Sequence, residues 1–280
     1  MPAGAKRWLV EPLIPEGGVC FIFGKYSTYK TPISLSLARA IARGEDLWDL
    51  EVPAARRVLY IEVDMPDTLA AERMQGIPVG NAPNLDILLG YPGFDCLRLT
   101  PEDLKIIGAL RAEHAKHPYG AVFVDALQGV VGGDVREAMT VKSTYKFFSD
   151  LFPSAALVYL HHSKKSIKDE VDEDETFSGS QAWVNHAATA LHVKRPDKRK
   201  PWVELRQTKN QLGEAASDLF LEIEDGARVK LRYAQVSEKD IQEFISNLDQ
   251  TLTSKEKDRA IAEHFGWSTR TAQRRRLELK

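Results

Sequence analysis

Short apolar runs alternate with longer segments of helical periodicity along most of the chain. Each run is rich in Val, Ile, Leu and Phe and has the length of a buried strand. The runs lie at residues 19–23, 57–64, 85–89, 121–125 and 155–160, and shorter β-like runs follow at residues 190–193, 203–206, 219–224 and 229–233. Because strands that alternate with helices form parallel sheets, the pattern predicts an α/β fold with a mostly parallel central sheet.

The first apolar run leads through a short loop into the first predicted helix. Gly24 ends the run, and Lys30-Thr31 begins a segment whose apolar residues share one helical face as far as Gly44. This is the layout of a phosphate-binding loop, in which backbone N–H groups and the positive helix end hold phosphates. The residues predicted to form the site are Gly24, Lys25, Tyr26, Ser27, Thr28, Tyr29, Lys30, Thr31 and Pro32.

This loop carries side chains that suit a bound triphosphate and magnesium ion. Lys30 is expected to reach the β- and γ-phosphate oxygens, and the Thr31 hydroxyl is expected to bind Mg²⁺. Tyr29 stands where the pattern G-x-x-x-x-G-K-[ST] has its second Gly, a position that often needs a positive φ or a close approach to the ligand. Taken alone, the loop also fits an ordinary strand-turn-helix with a solvated lysine.

Two of the other runs end in carboxylates, at the strand ends where open α/β sheets bind ligands. Asp64 follows the second run and is predicted to orient a water near the γ-phosphate. Glu62 shares its face and is the alternative, and a helix cap is an equally simple role for either residue. Asp125 ends the fourth run in the manner of a Walker B strand, whose acid holds Mg²⁺ together with Thr31.

Polar residues follow the run at 155–160. His161-His162 has no carboxylate or Cys at ligand spacing, so a polar group that senses the γ-phosphate is preferred to a metal site. Residues 164–176 are strongly charged and predict a solvated loop. Pro196-Asp197 predicts a hairpin turn with a basic tip, for which nucleic-acid contact and simple solvation both remain open. His114, near the end of a helix that starts at Thr100, is expected to be exposed.

The last part of the chain differs from the rest in charge. Residues 253–280 hold eight Lys or Arg and four Asp or Glu, whereas the whole chain has a net charge of −2. They predict two helices around a turn at Gly266, with Ser268 as the N-cap of the second, as in a helix-turn-helix. Packing within an oligomer is the alternative role. The arginines expected to contact phosphate or guanine are Arg270, Arg274, Arg275 and Arg276.

Composition indicates the class of protein and its compartment but not its function. The 280-residue chain is 43% hydrophobic and 28% charged, which is typical of a globular protein. Cys20 and Cys96 are the only cysteines, so no disulfide framework or zinc site is predicted. No apolar run has the length of a membrane span, and the N-terminus lacks a signal-peptide core. These features favour a cytoplasmic protein with no membrane partner.

Residues 8–213 resemble the RecA-like ATPases of the RepA type (AAA_25-like), which plasmids and phages carry as hexameric replicative helicases. The resemblance rests on the order and spacing of seven motifs rather than on any one of them. These motifs are Trp8-Leu9-Val10 with Gly17-Gly18, Phe23-Gly24 to Tyr29-Lys30-Thr31, Val58-Leu59-Tyr60-Ile61 to Asp64, Asp125-Ala126-Leu127 with Gly132-Gly133-Asp134, Leu160-His161-His162-Ser163-Lys164, Gly179-Ser180 and Lys209-Asn210-Gln211-Leu212-Gly213.

The resemblance implies a RecA-like P-loop NTPase core that binds ATP and Mg²⁺ between the subunits of a homo-hexamer. It also implies single-stranded DNA in the central channel, near loops such as residues 129–143 and 163–178. Lys164 and Lys165 are the DNA-contact candidates there, although the acidity of that loop argues against a simple phosphate clamp. By position, Asp64 falls where the family has a catalytic Glu, and His162 is nearest to its γ-phosphate sensor. Lys209 matches a lysine that extends toward the neighbouring subunit's ATP.

Three departures from the family pattern predict slow hydrolysis. Tyr29 replaces a Gly, Asp64 is one methylene shorter than Glu, and Gln211 occupies the place of an arginine finger. An absent arginine finger can cost orders of magnitude in rate. Arg206 is the candidate substitute.

The sequence therefore predicts three regions and one leading function. Residues 1–235 form the RecA-like ATPase domain, 236–252 a helical linker, and 253–280 a small all-α helix-turn-helix domain. The leading function is a DNA-dependent ATPase, acting as a helicase or helicase-like motor of a mobile element. The alternatives are an ATP-gated regulator that binds duplex DNA through the C-terminal helices, and a recombination mediator without unwinding activity.

Overall fold

A computed structural model describes the chain at residues 8–76, 82–90, 93–135, 137–162, 181–225, 227–232, 238–249, 251–265 and 269–279. The strands are β1 Trp8–Val10, β2 Ile14–Pro15, β3 Val19–Gly24, β4 Val58–Glu62, β5 Leu85–Leu89, β6 Ala121–Asp125, β7 Ala156–His162, β8 Thr189–Lys194, β9 Trp202–Asn210, β10 Leu219–Glu224 and β11 Arg228–Leu231. The helices are α1 Lys30–Arg43, α2 Asp67–Gly76, α3 Pro101–Lys116, α4 Ala138–Leu151, α5 Gln181–His186, α6 Glu238–Asn247, α7 Ser254–Phe265 and α8 Thr269–Glu278, with a 3₁₀ turn at Leu127–Gly129.

A nine-stranded sheet organises the described chain, in the order β11-β10-β9-β8-β3-β7-β6-β4-β5. The strands from β8 to β5 are parallel, and β9, β10 and β11 extend the sheet as antiparallel neighbours. A separate two-stranded sheet joins β1 and β2. The predicted α/β fold with a mostly parallel sheet is thus confirmed. The loop after β3 lies at the carboxyl ends of the parallel strands, with β7 and β8 on either side of β3. This is the edge at which α/β folds bind ligands.

The sheet is buried on both faces, which explains why its parallel strands are continuously apolar. On β3, Cys20 and Ile22 belong to one hydrophobic cluster, and Phe21 and Phe23 belong to the other. Helix α1 packs on the first face with residues such as Ile33, whereas α4 covers the second. The first helix is therefore held firmly against the strand that precedes it, which fixes the loop between them.

Helix ends follow the local chemistry that the sequence contains. At the start of α3, the Thr100 hydroxyl accepts a hydrogen bond from the Asp103 N–H, and the Asp103 carboxylate accepts one from the Thr100 N–H, which forms a capping box. Helix α1 ends at Gly44, whose φ of 66° is favourable for glycine. His114 differs from the prediction of an exposed side chain: it is buried, with Nδ1 accepting from the Tyr119 N–H at 3.1 Å.

The helices α6, α7 and α8 form a small unit with a core of its own. Ile261, Ala262 and Ala272 are buried there, and Phe244 of α6 packs against them and stacks on His264. Residues 238–247, predicted as part of a linker, therefore contribute to this unit. The predicted turn at Gly266 and the N-cap Ser268 lie outside the described residues, so the helix-turn-helix stays a prediction.

The helical unit docks on the sheet domain through charged and polar side chains of α8. Arg270 forms an ion pair with Asp46, and Arg274 lies 3.8 Å from the carboxylate of Asp49. The Thr271 hydroxyl donates to the same Asp49. In the part of the chain that is described, no helix has the length and apolar character needed to span a membrane.

Candidate functional site

The loop between β3 and α1 has the backbone form that a phosphate-binding loop requires. Tyr29 takes a φ of 62° and a ψ of 29°, so a tyrosine adopts the left-handed conformation that the usual Gly would supply. Ser27 also has a positive φ, of 61°. Gly24 is packed so closely that an added Cβ would lie 2.3 Å from the carbonyl oxygen of Val193. The loop therefore needs a glycine at its start, at Gly24, whereas at its end Tyr29 adopts the left-handed conformation without one.

Lys30 lies at the base of this loop and is only 5% exposed. Its Nζ donates to the carbonyl oxygens of Gly24 at 3.0 Å and Lys25 at 2.9 Å. Burial lowers the pKa of Lys30 to about 8, against the opposing influence of Asp125 and Asp64. The ammonium is thus poorly hydrated, and the two carboxylates favour its charged form, in which it can bind an anionic ligand.

Asp125 ends β6 beside the start of α1 and is 2% exposed. The Tyr60 hydroxyl donates to its Oδ2 at 2.7 Å, and Tyr60 is in turn hydrogen-bonded to Ser34 at 2.8 Å. Burial raises the pKa of Asp125, although hydrogen bonds from Tyr60 and Thr31 act in the opposite direction. The hydroxyl of Thr31 and the carboxylate of Asp125 are therefore already adjacent, as a shared metal ion would require.

Two hard oxygen ligands at this position fit Mg²⁺. Magnesium is commonly bound by one or two protein oxygens together with substrate phosphates and water, rather than by a complete protein cage. Consistent with this, no group of three or more His, Cys, Asp or Glu side chains within the described ranges is arranged to hold a metal. Thr31 and Asp125 would hold the ion on the side of the loop where the phosphates are expected.

Asp64 and His162 face each other at the carboxyl ends of β4 and β7. Their side chains approach to 3.6 Å between Oδ2 and Nε2, and Asp64 is the more exposed of the two. Glu62, the alternative to Asp64, is 1% exposed, and its carboxylate accepts the Asp64 N–H at 2.8 Å. Glu62 therefore orients the backbone at Asp64, whereas Asp64 is open to a water molecule.

Tyr26 adds a contact that the sequence did not indicate. Its ring is 63% exposed and stacks on the His162 imidazole, with the ring centres 4.1 Å apart and the planes 11° from parallel. The tip of the loop after β3 therefore touches the residue predicted to sense the γ-phosphate. Beside it, His161 hydrogen-bonds to Gln128 at 2.8 Å. No sequence signal links residues so far apart in the chain.

Lys209 and Arg206 do not join this group within one chain. The Nζ of Lys209 donates to the carbonyl oxygens of Val184 at 2.7 Å and Asn185 at 3.1 Å. Because β9 runs antiparallel to β8, Lys209 lies at the edge of the sheet opposite to Lys30. The guanidinium of Arg206 is paired with Glu204 and Asp218. Within one chain, Lys209 is therefore separated from Lys30, and the guanidinium of Arg206 is engaged by two carboxylates.

The residues predicted to bind DNA have different surroundings. Lys164 and Lys165, like the rest of the loop at residues 163–178, lie outside the described residues. Arg270 and Arg274 face the sheet domain. Arg276 is 7% exposed and forms a buried ion pair with Asp258 of α7 at 2.6 Å. Its guanidinium joins two helices, so a contact with DNA would require this ion pair to open, and the predicted role stays a prediction. Arg275 is half-buried on α8.

A Lys-Thr loop between a parallel strand and its helix, with an acid at the end of the second strand along the sheet, defines a P-loop NTPase fold. The chain belongs to the AAA_25 family of AAA domains, whose family model matches residues 2–167. Among curated proteins, the comparison found no match.

Several solved structures share the fold at low sequence identity. A DnaB-like replicative helicase, solved in a study of its interactions with primase, has a TM-score of 0.55 and 14% identity, over 77% of this chain and 59% of that one. A second structure, solved as an ATPase domain, has a TM-score of 0.54 and 14% identity, over 77% of this chain and 85% of that one. The flagellar accessory protein FlaH from Methanocaldococcus jannaschii has a TM-score of 0.53 and 12% identity, over 79% of this chain and 92% of that one. What the chain shares with these structures is the RecA-like α/β fold.

Proposed function

We propose that the chain is an ATP-binding, DNA-dependent ATPase that acts as a RepA-type replicative helicase or helicase-like motor of a phage, plasmid or other mobile element. The observation that carries the proposal is the convergence of Lys30, Thr31, Asp125, Asp64 and His162 at one edge of the sheet. Membership of the AAA_25 family and the RecA-like fold support it.

Each residue has a distinct part in this proposal. Lys30 exchanges the carbonyl oxygens of Gly24 and Lys25 for phosphate oxygens when ATP enters. Thr31 and Asp125 hold Mg²⁺, which neutralises charge that develops on the phosphates. Asp64 orients the attacking water, and His162, within 3.6 Å, registers whether the γ-phosphate is present. The missing arginine finger keeps the rate of hydrolysis in one chain low.

Assembly supplies what one chain lacks. In a ring hexamer, Lys209 faces the ATP of the next subunit, after its ammonium leaves the carbonyl oxygens of α5. Hydrolysis then changes the contact between subunits and moves the loops that hold single-stranded DNA in the channel. The proposed DNA contacts include Lys164 and Lys165.

A second candidate function rests on the docked helical unit. Arg270 and Arg274 sit on the helix predicted to recognise duplex DNA, yet they are paired with Asp46 and Asp49. An ATP-gated DNA-binding regulator would use the sheet domain as a switch for assembly and α8 for recognition, after these pairs open. In this function, duplex binding does not need hydrolysis.

One set of assays separates the two functions. ATP hydrolysis is measured with and without single-stranded DNA, and assembly is measured by light scattering with ATP, for the wild type and Lys30→Ala. A motor shows hydrolysis stimulated by DNA, a higher-order assembly, and strand separation that Lys30→Ala abolishes. Specific duplex binding that survives in Lys30→Ala favours the regulator. A monomer whose hydrolysis is indifferent to DNA contradicts the motor.

A further inference from the structure

Arg195 reaches from the end of β8 to the loop after β3. The centre of its guanidinium lies 4.7 Å from the centre of the Tyr29 ring, and its Nη1 donates to the Ser27 carbonyl oxygen at 3.4 Å. Ser27 and Tyr29 are the two residues of this loop that have a positive φ. One side chain therefore contacts both left-handed positions of the loop.

Left-handed backbone is unfavourable for both residues. In L-residues, the Cβ atom, which Gly lacks, approaches the following carbonyl oxygen in this conformation. Such conformations persist where the surrounding structure determines them. Tyr29 is held in two ways, because its ring packs against the first hydrophobic cluster and also contacts the Arg195 guanidinium. A guanidinium placed over an aromatic ring is attracted by the negative face of that ring.

Arg195 is itself fixed in place by the turn that follows β8. Its Nη2 donates to the carbonyl oxygens of Lys198 at 2.6 Å and Lys200 at 3.1 Å, and its Nε donates to Lys200 at 3.2 Å. The turn is closed by the Lys200 N–H, which donates to the Asp197 carbonyl oxygen at 3.1 Å. The guanidinium is therefore presented to the loop in a defined orientation.

The base of this hairpin is also rigid. At the end of β8, His192 stacks on Phe23 of β3, with ring centres 4.9 Å apart and planes 11° from parallel. The next residue, Val193, has its carbonyl oxygen against Gly24. The strand that carries Arg195 thus abuts the residue where the loop begins, so the position of the guanidinium relative to the loop is determined at both ends.

We propose that Arg195 is a positioning residue, acting within its own chain, that holds the Tyr29 form of the phosphate loop in its nucleotide-binding conformation. This inference rests on the proposed function, since it assumes that the loop binds a nucleoside triphosphate. The apparent affinity for nucleotide is proportional to the fraction of protein in the competent conformation, so it falls when that fraction falls. Arg195 raises that fraction by stabilising the two backbone conformations that Ser27 and Tyr29 disfavour.

The pairing explains how the loop functions without its second Gly. A Gly at position 29 would populate positive φ at little cost and would not depend on a partner. Tyr29 needs a partner, and Arg195 provides it. The alternative is that Arg195 simply attracts phosphate by its charge, in which case its contribution would be the same with Tyr or Gly at position 29.

A double-mutant cycle distinguishes these two explanations. The proteins are the wild type, Arg195→Ala, Tyr29→Gly and the double variant, each tested by thermal unfolding without nucleotide and by MgATP titration. We expect Arg195→Ala to raise the Kd for MgATP about tenfold and to lower Tm by about 2–4 °C. In the Tyr29→Gly background, the change in Kd falls to about twofold or less and the shift in Tm is at least halved.

A matched control is available on the same hairpin. Arg199 is 90% exposed and pairs with Asp197, so Arg199→Ala removes an equal charge without touching the loop. Its Kd is expected to stay within about twofold of the wild type. In steady-state assays, Arg195→Ala is expected to raise KM and change kcat less than about threefold, because Arg195 contacts the loop and not the reacting phosphate.

Two results overturn the proposal. One is an effect of Arg195→Ala that is equally large whether Tyr or Gly occupies position 29, and the other is no effect on either Kd or Tm. A wild type that binds no adenine nucleotide, but shows the coupling in Tm, contradicts the proposed function and leaves Arg195 as the support of the loop.

Discussion

Lys30 occupies a poorly hydrated position between backbone carbonyl oxygens and two acids. Burial lowers the pKa of its ammonium to about 8, and the carboxylates of Asp125 and Asp64 limit that shift. An anionic phosphate bound at Lys30 adds a further charge that favours the protonated form. The pKa of Lys30 is therefore lower in the free protein than in the nucleotide complex, so binding and protonation are linked.

The linkage predicts that MgATP affinity falls as the pH rises above about 8. Below that pH, Lys30 is protonated before and after binding, and affinity does not depend on its titration. Above it, the free protein must take up a proton in order to bind, at a cost of up to about tenfold in Kd per pH unit. Calorimetry at about pH 7, 8 and 9, in buffers of different ionisation enthalpy, measures both the Kd and the proton uptake.

Lys30→Arg is the control for this pH dependence. Its guanidinium stays charged over the whole range, so its affinity, although weaker, should change little between about pH 7 and pH 9. A wild-type Kd that is constant across this range, without proton uptake, would contradict the proposed state of Lys30.

At the scale of single elements, α7 and α8 depend on a buried ion pair. Arg276 and Asp258 are 7% and 4% exposed, and the carboxylate lies 2.6 Å from Nε and 3.2 Å from Nη2 of the guanidinium. The hydrogen bond to Asp258 raises the pKa of Arg276. This arrangement leaves a charge uncompensated when either partner is removed.

Arg276→Ala is therefore expected to destabilise the helical unit by about 3–5 kcal/mol, with little effect on the sheet domain. Hydrogen exchange at residues 251–265 and 269–279 measures the local free energy of opening. Gln273→Ala, at an exposed position of the same helix, is the matched control. Exchange that is unchanged in Arg276→Ala would show that the pair is not needed for the unit.

Most elements, and the centre of the site, follow from short-range sequence patterns. Periodicity, a glycine or a terminal charge defines each of the strand Val19–Gly24, the helix Lys30–Arg43 with its C-cap Gly44, and the acid Asp125. The parallel order of the strands then brings Lys30 and Asp125 to one edge. These features could be predicted because each depends on residues that are close in sequence, or on the topology of an α/β sheet.

Other features depend on contacts between distant residues and left no local signal. His114 was predicted to be exposed, but it is buried between elements that meet only in the folded chain. The stack of Tyr26 on His162 and the contact of Arg195 with Tyr29 each join separate loops. Arg276 was predicted as a DNA contact because the sequence shows its spacing from the other arginines of α8. The sequence does not show its ion pair with Asp258 of α7.

At the scale of the whole molecule, α8 is held on the sheet domain by acidic residues that follow α1. Asp46 pairs with Arg270, and Asp49 accepts from Thr271 and lies near Arg274. The hydrogen bond from the Val52 N–H is the main cause of the lowered pKa of Asp46, and Arg270 also contributes. Exposed ion pairs are individually weak, but here several converge on one face.

The double substitution Asp46→Asn and Asp49→Asn is expected to weaken this docking. Trypsin should then cleave after Arg270 and Arg274 at least about threefold faster, and raising the salt concentration should produce a similar change in the wild type. Glu72→Gln with Glu102→Gln removes the same charge from exposed positions on α2 and α3 and serves as the control. Equal cleavage rates in both double variants would exclude docking through these acids.

Binding of MgATP at the loop after β3 is the claim on which the whole account rests, and calorimetry on the purified chain tests it most directly. We predict binding of MgATP by the wild type and by Lys105→Ala, whose substitution lies at an exposed position of α3. Lys30→Ala should reduce the affinity at least about a hundredfold, because it removes the charge that faces the phosphates. No binding by the wild type, or equal binding by Lys30→Ala, would contradict the account.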